Sequence, residues 1–293
     1  MIKFPEHVDV RKRIYQAIFF WLARLISLAI IGILIMILYF IFKRGAGVLS
    51  WEFLSTGPKE GMMKGGILPA IVGTGYLVLF SILFAFPIGV LAGIYVNEYA
   101  LHGRVKNFIK TMTNNLAGVP SIVFGLFGMA LFVNQLGMGA SILAGSLTLA
   151  LLALPLIIRT TEESLKSVDD SFRQASYALG ASKLYTIRKV VLPMAFPNII
   201  TGLILSIGRV SGETAPILFT VAAYFLPKLP GSLMDQCMAL PYHLYVISTS
   251  GTNIDQSRPV AYGTAMVLVL IILVVNLLAS FARNYFAKKV KTN

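Results

Sequence analysis

The sequence predicts an all-α polytopic membrane protein with six transmembrane helices and both termini on the inner side. Three observations carry that expectation. Of 293 residues, 57% are hydrophobic and only 13% charged, with a mean hydropathy of +0.79. Soluble globular domains carry about 25% charged residues. Six stretches are apolar enough to cross a hydrocarbon core, which takes about 20 residues of helix: 16–42, 67–96, 112–133, 141–158, 199–226 and 259–281. The basic residues are also unevenly divided. With the N-terminus inside, 17 Lys and Arg fall on inner segments and 6 on outer ones, while Arg24 and Arg209 lie within spans. Such a bias orients a membrane protein with its basic loops on the cytoplasmic side.

The same placement accounts for the formal charge of +13. The excess faces anionic lipid, so no nucleic-acid partner is needed. Cys237 is the single cysteine, and His7, His102 and His243 are scattered. Neither an intrachain disulfide nor a metal-ligating cluster is expected.

Span 1 follows a short cytoplasmic N-terminus, 1–15, and opens a single transmembrane domain over 16–293. It is too long for the apolar core of a signal peptide and has no A-x-A-like cleavage site, so it reads as an uncleaved anchor. Arg24 lies near its inner end and reaches the headgroups. Lys43 and Arg44 oppose the charge rule locally and can snorkel to the outer interface. Span 2 carries Pro69, Gly73, Gly75, Pro87, Gly89 and Gly93, a set of breakers that suits a helix able to bend. In span 3, Asn114 and Asn115 precede Gly118, Pro120, Ser121 and Gly125, which predicts a bent, closely packed helix lining a cavity.

The segment 159–198 between spans 4 and 5 is the least hydrophobic long stretch of the chain. Thr160 and Thr161 followed by Glu162 and Glu163 read as a helix start. Ser167 and Asp169 can cap a second helix to about Leu179, and Gly180 can take the left-handed backbone that ends it. Ser182 can cap a third helix, about 183–191, and Pro193 and Pro197 close the segment. The expected result is a set of short helices lying across the inner face.

Span 5 holds the most costly residues. Arg209 lies ten residues after Ile199, about 15 Å along a helix and near the middle of the expected span. Glu213 follows at i+4, and Ser206, Gly208, Ser211, Gly212 and Ala215 surround the pair with small side chains. Ionisable groups at membrane depth mark transport pathways by default, and Arg grips an oxyanion bidentately. Glu213 can hold Arg209 while the site is empty, or accept a hydrogen bond from a protonated oxyanion. Pro216 interrupts the helix ladder. The expected substrate path is Arg209, Glu213, Ser211 and Thr214, joined by Asn114 and Ser121 from span 3. The chain contains no Gly-Lys dipeptide, hence no nucleotide-binding P-loop. An energy source must be another subunit.

Two strings resemble a known family. Gln174-Ala175-Ser176, three residues, Gly180, nine residues, then Val190-Val191-Leu192-Pro193 is similar to the loop by which ABC importer permeases meet their ATPase, Glu-Ala-Ala with Gly and a terminal Leu-Pro. Gln174 stands for the Glu, Ser176 for the second Ala and Val190 for Ile. Gly208-Arg209-Val210-Ser211-Gly212-Glu213-Thr214-Ala215-Pro216, with Ala117–Gly125, resembles the fifth- and third-span motifs of the A-type permeases of phosphate ABC importers. The resemblance implies a type I ABC importer permease fold, a role for Gln174, Ala175, Ser176, Gly180, Leu192 and Pro193 in ATPase coupling, and residence in the inner membrane of a prokaryote. It also implies the partners: a C-type permease, two ATPase subunits that use ATP and Mg, and an extracytoplasmic phosphate-binding protein, with no cofactor on this chain. A permease for molybdate or sulfate, or a secondary transporter that works without an ATPase, remains open on the residues alone.

Overall fold

A computed structural model describes residues 10–62, 64–100, 103–250 and 254–292; Lys3, His7 and His102 lie outside them. Helix α1 (Val10–Gly45) has 36 residues, a rod of about 54 Å at 1.5 Å per residue. It stands on the flank of the bundle, packs against the last helix and exposes most of its apolar side chains. A short helix α2 (Trp51–Ser55) follows, its first turn closed by Ser50 Oγ accepting from Phe53 N. Two-residue strands β1 (Pro58–Lys59) and β2 (Lys64–Gly65) form a small antiparallel hairpin.

Helix α3 (Leu68–Ile94) continues as a wider π-helical turn, Tyr95–Tyr99. It runs along α6 (Ile142–Lys166) in the most extensive helix contact of the bundle. A Cβ on Gly89 would lie 2.6 Å from Ile157 Cγ2, and one on Gly93 2.6 Å from Thr161 Cβ. Gly89 and Gly93 therefore let two backbones approach. They do not bend the helix, which continues through Pro87. Leu77, Ala85, Leu149, Ala153 and Ile157 form the core between α3 and α6, with Val210, Ile217 and Val221 packed onto it.

Span 3 is not one bent helix. Helix α4 (Arg104–Ala117) and helix α5 (Ser121–Gly128, prolonged by a π-helical turn to Gln135) meet at 105° across Gly118–Pro120. Pro120 explains the break: it disfavours helical backbone at Val119 and has no N–H to give. Span 4 is longer than its apolar run. Thr160, Thr161, Glu162 and Glu163 lie inside α6 and start no new helix.

Helix α7 (Asp170–Ala178) has Asp169 as its cap, Oδ1 accepting from Ser171 N at 2.8 Å. The loop then turns at Gly180 into α8 (Lys183–Thr186), where Ser182 Oγ accepts from Tyr185 N. Pro193 and Pro197 do not close this segment. A π-helical turn at Ile187–Val191 carries α8 directly into α9 (Leu192–Gly212), so the fifth span is helical from 183 to 212.

The far end of that span corrects the expectation most. The apolar run continues to 226, but the helix stops at Gly212 and Glu213 has extended backbone, φ −75° and ψ 126°. A single turn α10 (Ala215–Leu218) follows. Residues 219–239 then fold back onto the start of α6: Ser141 N donates to Thr220 O, Ile142 N to Asp235 O and Leu143 N to Leu233 O, at 2.9–3.0 Å. These carbonyls serve amides that open a helix and so lack partners within it. Helix α11 (Leu240–Thr249) and the long α12 (Ile254–Thr292) complete the chain. Among the described residues, five helices are long and apolar enough to cross a membrane, or six if the broken pair α4–α5 is one span.

Candidate functional site: a charged pair at a helix break and a docking loop

Arg209 sits in the last turn of α9 and Glu213 immediately beyond the helix, with Arg209 Nε 3.5 Å from Glu213 Oε1. The pair predicted for one helix face is thus formed across a helix end. The negative end of the helix dipole favours a cation there. The contact is loose, and no hydrogen bond forms within it. Arg209 is 38% exposed, and its two Nη groups make no hydrogen bond among the described residues. That leaves a two-pronged donor edge, which suits a tetrahedral oxyanion.

The other expected path residues are divided. Ser211 is buried and its hydroxyl donates to Ile207 O at 2.7 Å. Thr214 lies in the irregular turn beside Glu213, half-buried. Ser121 opens α5. One turn further on, a Cβ on Gly125 would meet Ala215 O at 2.9 Å and Pro216 Cα at 3.0 Å. The start of α5 therefore packs against the segment that follows Glu213. Asn114 belongs to a different place, on α4, where it lines a cavity of about 380 Å³ with Lys110, Thr113, Arg159, Glu162 and Lys166. No hydrogen bond or ion pair joins Asn114 or Ser121 to Arg209 among the described residues.

Three buried or half-buried polar groups lay beyond the sequence reading. Glu162, turned inward from α6, binds both Lys110 of α4 at 2.9 Å and Lys166 at 2.6 Å. Glu98, at the end of α3, holds Arg173 of α7 at 2.9 Å. Asn276 of α12 faces Gly208, 3.6 Å from where a Cβ would stand. Glu162–Lys166 is an ordinary i,i+4 helix pair, but Glu162–Lys110 and Glu98–Arg173 join residues 52 and 75 positions apart, beyond any helix rule, and local spacing carries no sign of them.

The loop itself is a compact hairpin. Gly180 has φ +78°. Gly180 N donates to Tyr177 O at 2.9 Å and Ala181 N to Ser176 O at 3.2 Å, the paired bonds of a glycine-terminated helix end. Ser176 faces inward and shares a 2.8 Å hydrogen bond with Thr186 across the turn. Gln174 and Ala175 face outward. So do Phe172, Leu179, Leu184 and Tyr185, at 46%, 89%, 66% and 56% exposure. Leu192 is half-buried against a cluster of Leu165, Val168, Val191, Ala195 and Ile199, and Pro193 is exposed beside it. The capped, polar hairpin thus holds four large apolar side chains outward.

Long apolar helices, with an ion pair where one of them ends, mark a membrane-embedded chain. The chain belongs to the family described as "Binding-protein-dependent transport system inner membrane component", whose profile matches residues 85–292. It is accordingly a multi-pass protein of the inner membrane, a permease subunit and not an enzyme, and the family implies a separate ATPase and a binding protein. Among relatives, the probable ABC transporter permease YqgI of Bacillus subtilis is 35% identical over 276 residues, covering 90% of this chain and 93% of that one. The phosphate transport system permease PstA of Pasteurella multocida is 35% identical over 257 residues, covering 87% and 88%. Two solved structures share the fold. A bacterial ABC transporter involved in import of the acidic polysaccharide alginate has a TM-score of 0.66 at 16% identity, covering 93% of this chain and 99% of that one. An inward-facing MetNI methionine ABC transporter has a TM-score of 0.55 at 18% identity, covering 75% and 94%.

Proposed function

We propose that this chain is a membrane permease of an ATP-driven phosphate importer, with Arg209 and Glu213 in the anion path. The observation that carries the reading is the loosely paired Arg209 at the broken end of α9, in a chain whose full-length relatives include phosphate transport permeases. Arg209 supplies the oxyanion donors. Glu213 keeps the guanidinium aimed when the path is empty and accepts a hydrogen bond from the O–H of hydrogen phosphate, an interaction that sulfate, lacking that proton, does not offer. Residues 159–198 lie on the cytoplasmic side, and the hairpin 170–186 docks on the ATPase through Phe172, Leu179, Leu184 and Tyr185. ATP and Mg are bound by that partner. A second, C-type permease completes the channel, and an extracytoplasmic phosphate-binding protein delivers the anion.

The test is uptake by the reconstituted complex in liposomes. Phosphate should enter only with ATP and the binding protein. Arg209→Ala should lower uptake by about 10- to 150-fold, the equivalent of one hydrogen bond to a charged group, about 1.5–3 kcal/mol. Unchanged uptake would remove Arg209 from the path.

A further inference from the structure

The hairpin 170–186 is continuous with α9 through α8 and follows α6 by three residues. No peptide links it to α3, yet α3 forms the largest contact of the bundle with α6. What joins the hairpin to α3 is a set of side chains. Arg173 of α7, 12% exposed, donates from Nη2 to Glu98 Oε1 at 2.9 Å and to Leu165 O at 2.9 Å. Its Nη1 donates to Val168 O at 2.8 Å and to Asp170 Oδ1 at 2.9 Å. Glu98 is 6% exposed, sits in the π-helical end of α3, and also accepts from Asn97 Nδ2 at 2.9 Å.

A second link lies alongside. The Lys183 ammonium stands 5.0 Å from the Tyr99 ring centre, a cation–π distance. The Ser176–Thr186 bond makes α7 and α8 one piece. One guanidinium therefore fastens the hairpin, the end of α6 and the end of α3 together. A planar fork with five donors is needed for four acceptors at once; lysine offers three donors from one point. A buried carboxylate fixed to a buried guanidinium also resists separation, because either group alone would be left charged and unpaired.

We propose that the Arg173–Glu98 pair is the joint that passes movement of the hairpin to α3, and through its contact to α6, so that both spans move with the loop. This rests on the reading of the hairpin as the ATPase dock. Arg173 and Glu98 are positioning residues for coupling; neither touches the anion. Their loss leaves the hairpin free to move on α9 alone, so ATP is consumed with fewer anions carried.

The test uses the full complex in liposomes with Glu98→Gln, Arg173→Lys and the double variant. Phosphate imported per ATP hydrolysed is measured beside recovery of the assembled complex and its thermal midpoint. The joint predicts that each single variant imports at least about fivefold less phosphate per ATP, the low end of common coupling strengths. The double variant should be no worse than the more severe single one, because both remove the same connection. A lowered midpoint or yield with an unchanged ratio means a merely structural pair and overturns the proposal. Should either variant fail to assemble, hydrogen exchange on the unaltered complex decides: adding ATP should change protection of 95–99 and 170–178 together, and independent change overturns the joint. If no ATPase co-purifies with the unaltered chain, the dock reading itself has failed, which is a separate result.

Discussion

Gly180 offers a perturbation whose cost can be worked from the structure. Its φ is +78° and a Cβ added there meets nothing within 4 Å. Substitution therefore adds no clash, only the backbone penalty of a left-handed L-residue, about 1–2 kcal/mol. Against it stands the buried Ser176–Thr186 hydrogen bond across the turn, with a net worth of about 0.5–1.5 kcal/mol. The two are comparable, so Gly180→Ala should populate an opened hairpin appreciably, and Gly180→Val, with a β-branched residue in that region, more so. Gly139 is the control. It too has positive φ, +64°, and open space around its Cβ, so it carries the same backbone cost at a place outside the hairpin. The assay is ATPase activity of the reconstituted complex with and without binding protein. Gly180→Ala should lower the stimulated activity, and Gly180→Val lower it further, while Gly139→Ala should leave it near the unaltered value. Equal effects at 180 and 139 would mean that the hairpin turn has no special part in ATPase stimulation.

Other predictions follow from separate features. Gly93→Val should reduce recovery of folded protein sharply, since its Cβ would sit 2.6 Å from Thr161 Cβ and 3.0 Å from Ile158 O; Gly75→Ala on the same helix, with open space, should be neutral or mildly stabilising. His243 in α11 is 2% exposed with no hydrogen-bond partner for either ring nitrogen among the described residues, and burial pushes its pKa down to about 4. Against an unfolded value of 6.5, the unfolded chain binds the extra proton between those limits. Stability is therefore full above pH 6.5 and lost as pH falls toward 4, by up to about 3 kcal/mol. Thermal midpoints at pH 7 and pH 5 should differ for the unaltered chain and converge in His243→Leu.

The features written in composition and in short spacing were legible before the structure. Apolar runs marked the spans, and Asp169, Gly180 and Ser182 marked the hairpin because caps and left-handed turns are local chemistry. The end of α9 was hidden. Residues 213–226 are as apolar as a helix would be, but Thr214 and Pro216 begin a folded-back segment whose carbonyls serve the first turn of α6. Hydropathy marks what is shielded from water and is silent on whether the backbone there is helical. The sharpness of the 118–120 break was underestimated for a related reason. Gly118 and Pro120 announced a bend, but the amphipathic, partly polar α4 before it was assigned to a loop and the start of a span. From the sequence, Arg173 reads only as one of the inner basic residues, Glu162 only as part of a helix start, and Glu98 carries no signal. Their pairings join α3 to α7 and α4 to α6, and only tertiary packing creates them.

In the proposed function Arg209, aimed by Glu213, binds a protonated tetrahedral anion during ATP-driven import. The most direct measurement is ATP-dependent uptake of labelled phosphate by the reconstituted complex, challenged with unlabelled phosphate, sulfate or molybdate, for the unaltered chain and for Glu213→Gln. Phosphate alone should compete in the unaltered chain, and sulfate should gain the ability to compete when Glu213 loses its charge. Equal competition by sulfate in the unaltered chain, or phosphate selectivity untouched by Glu213→Gln, would contradict it.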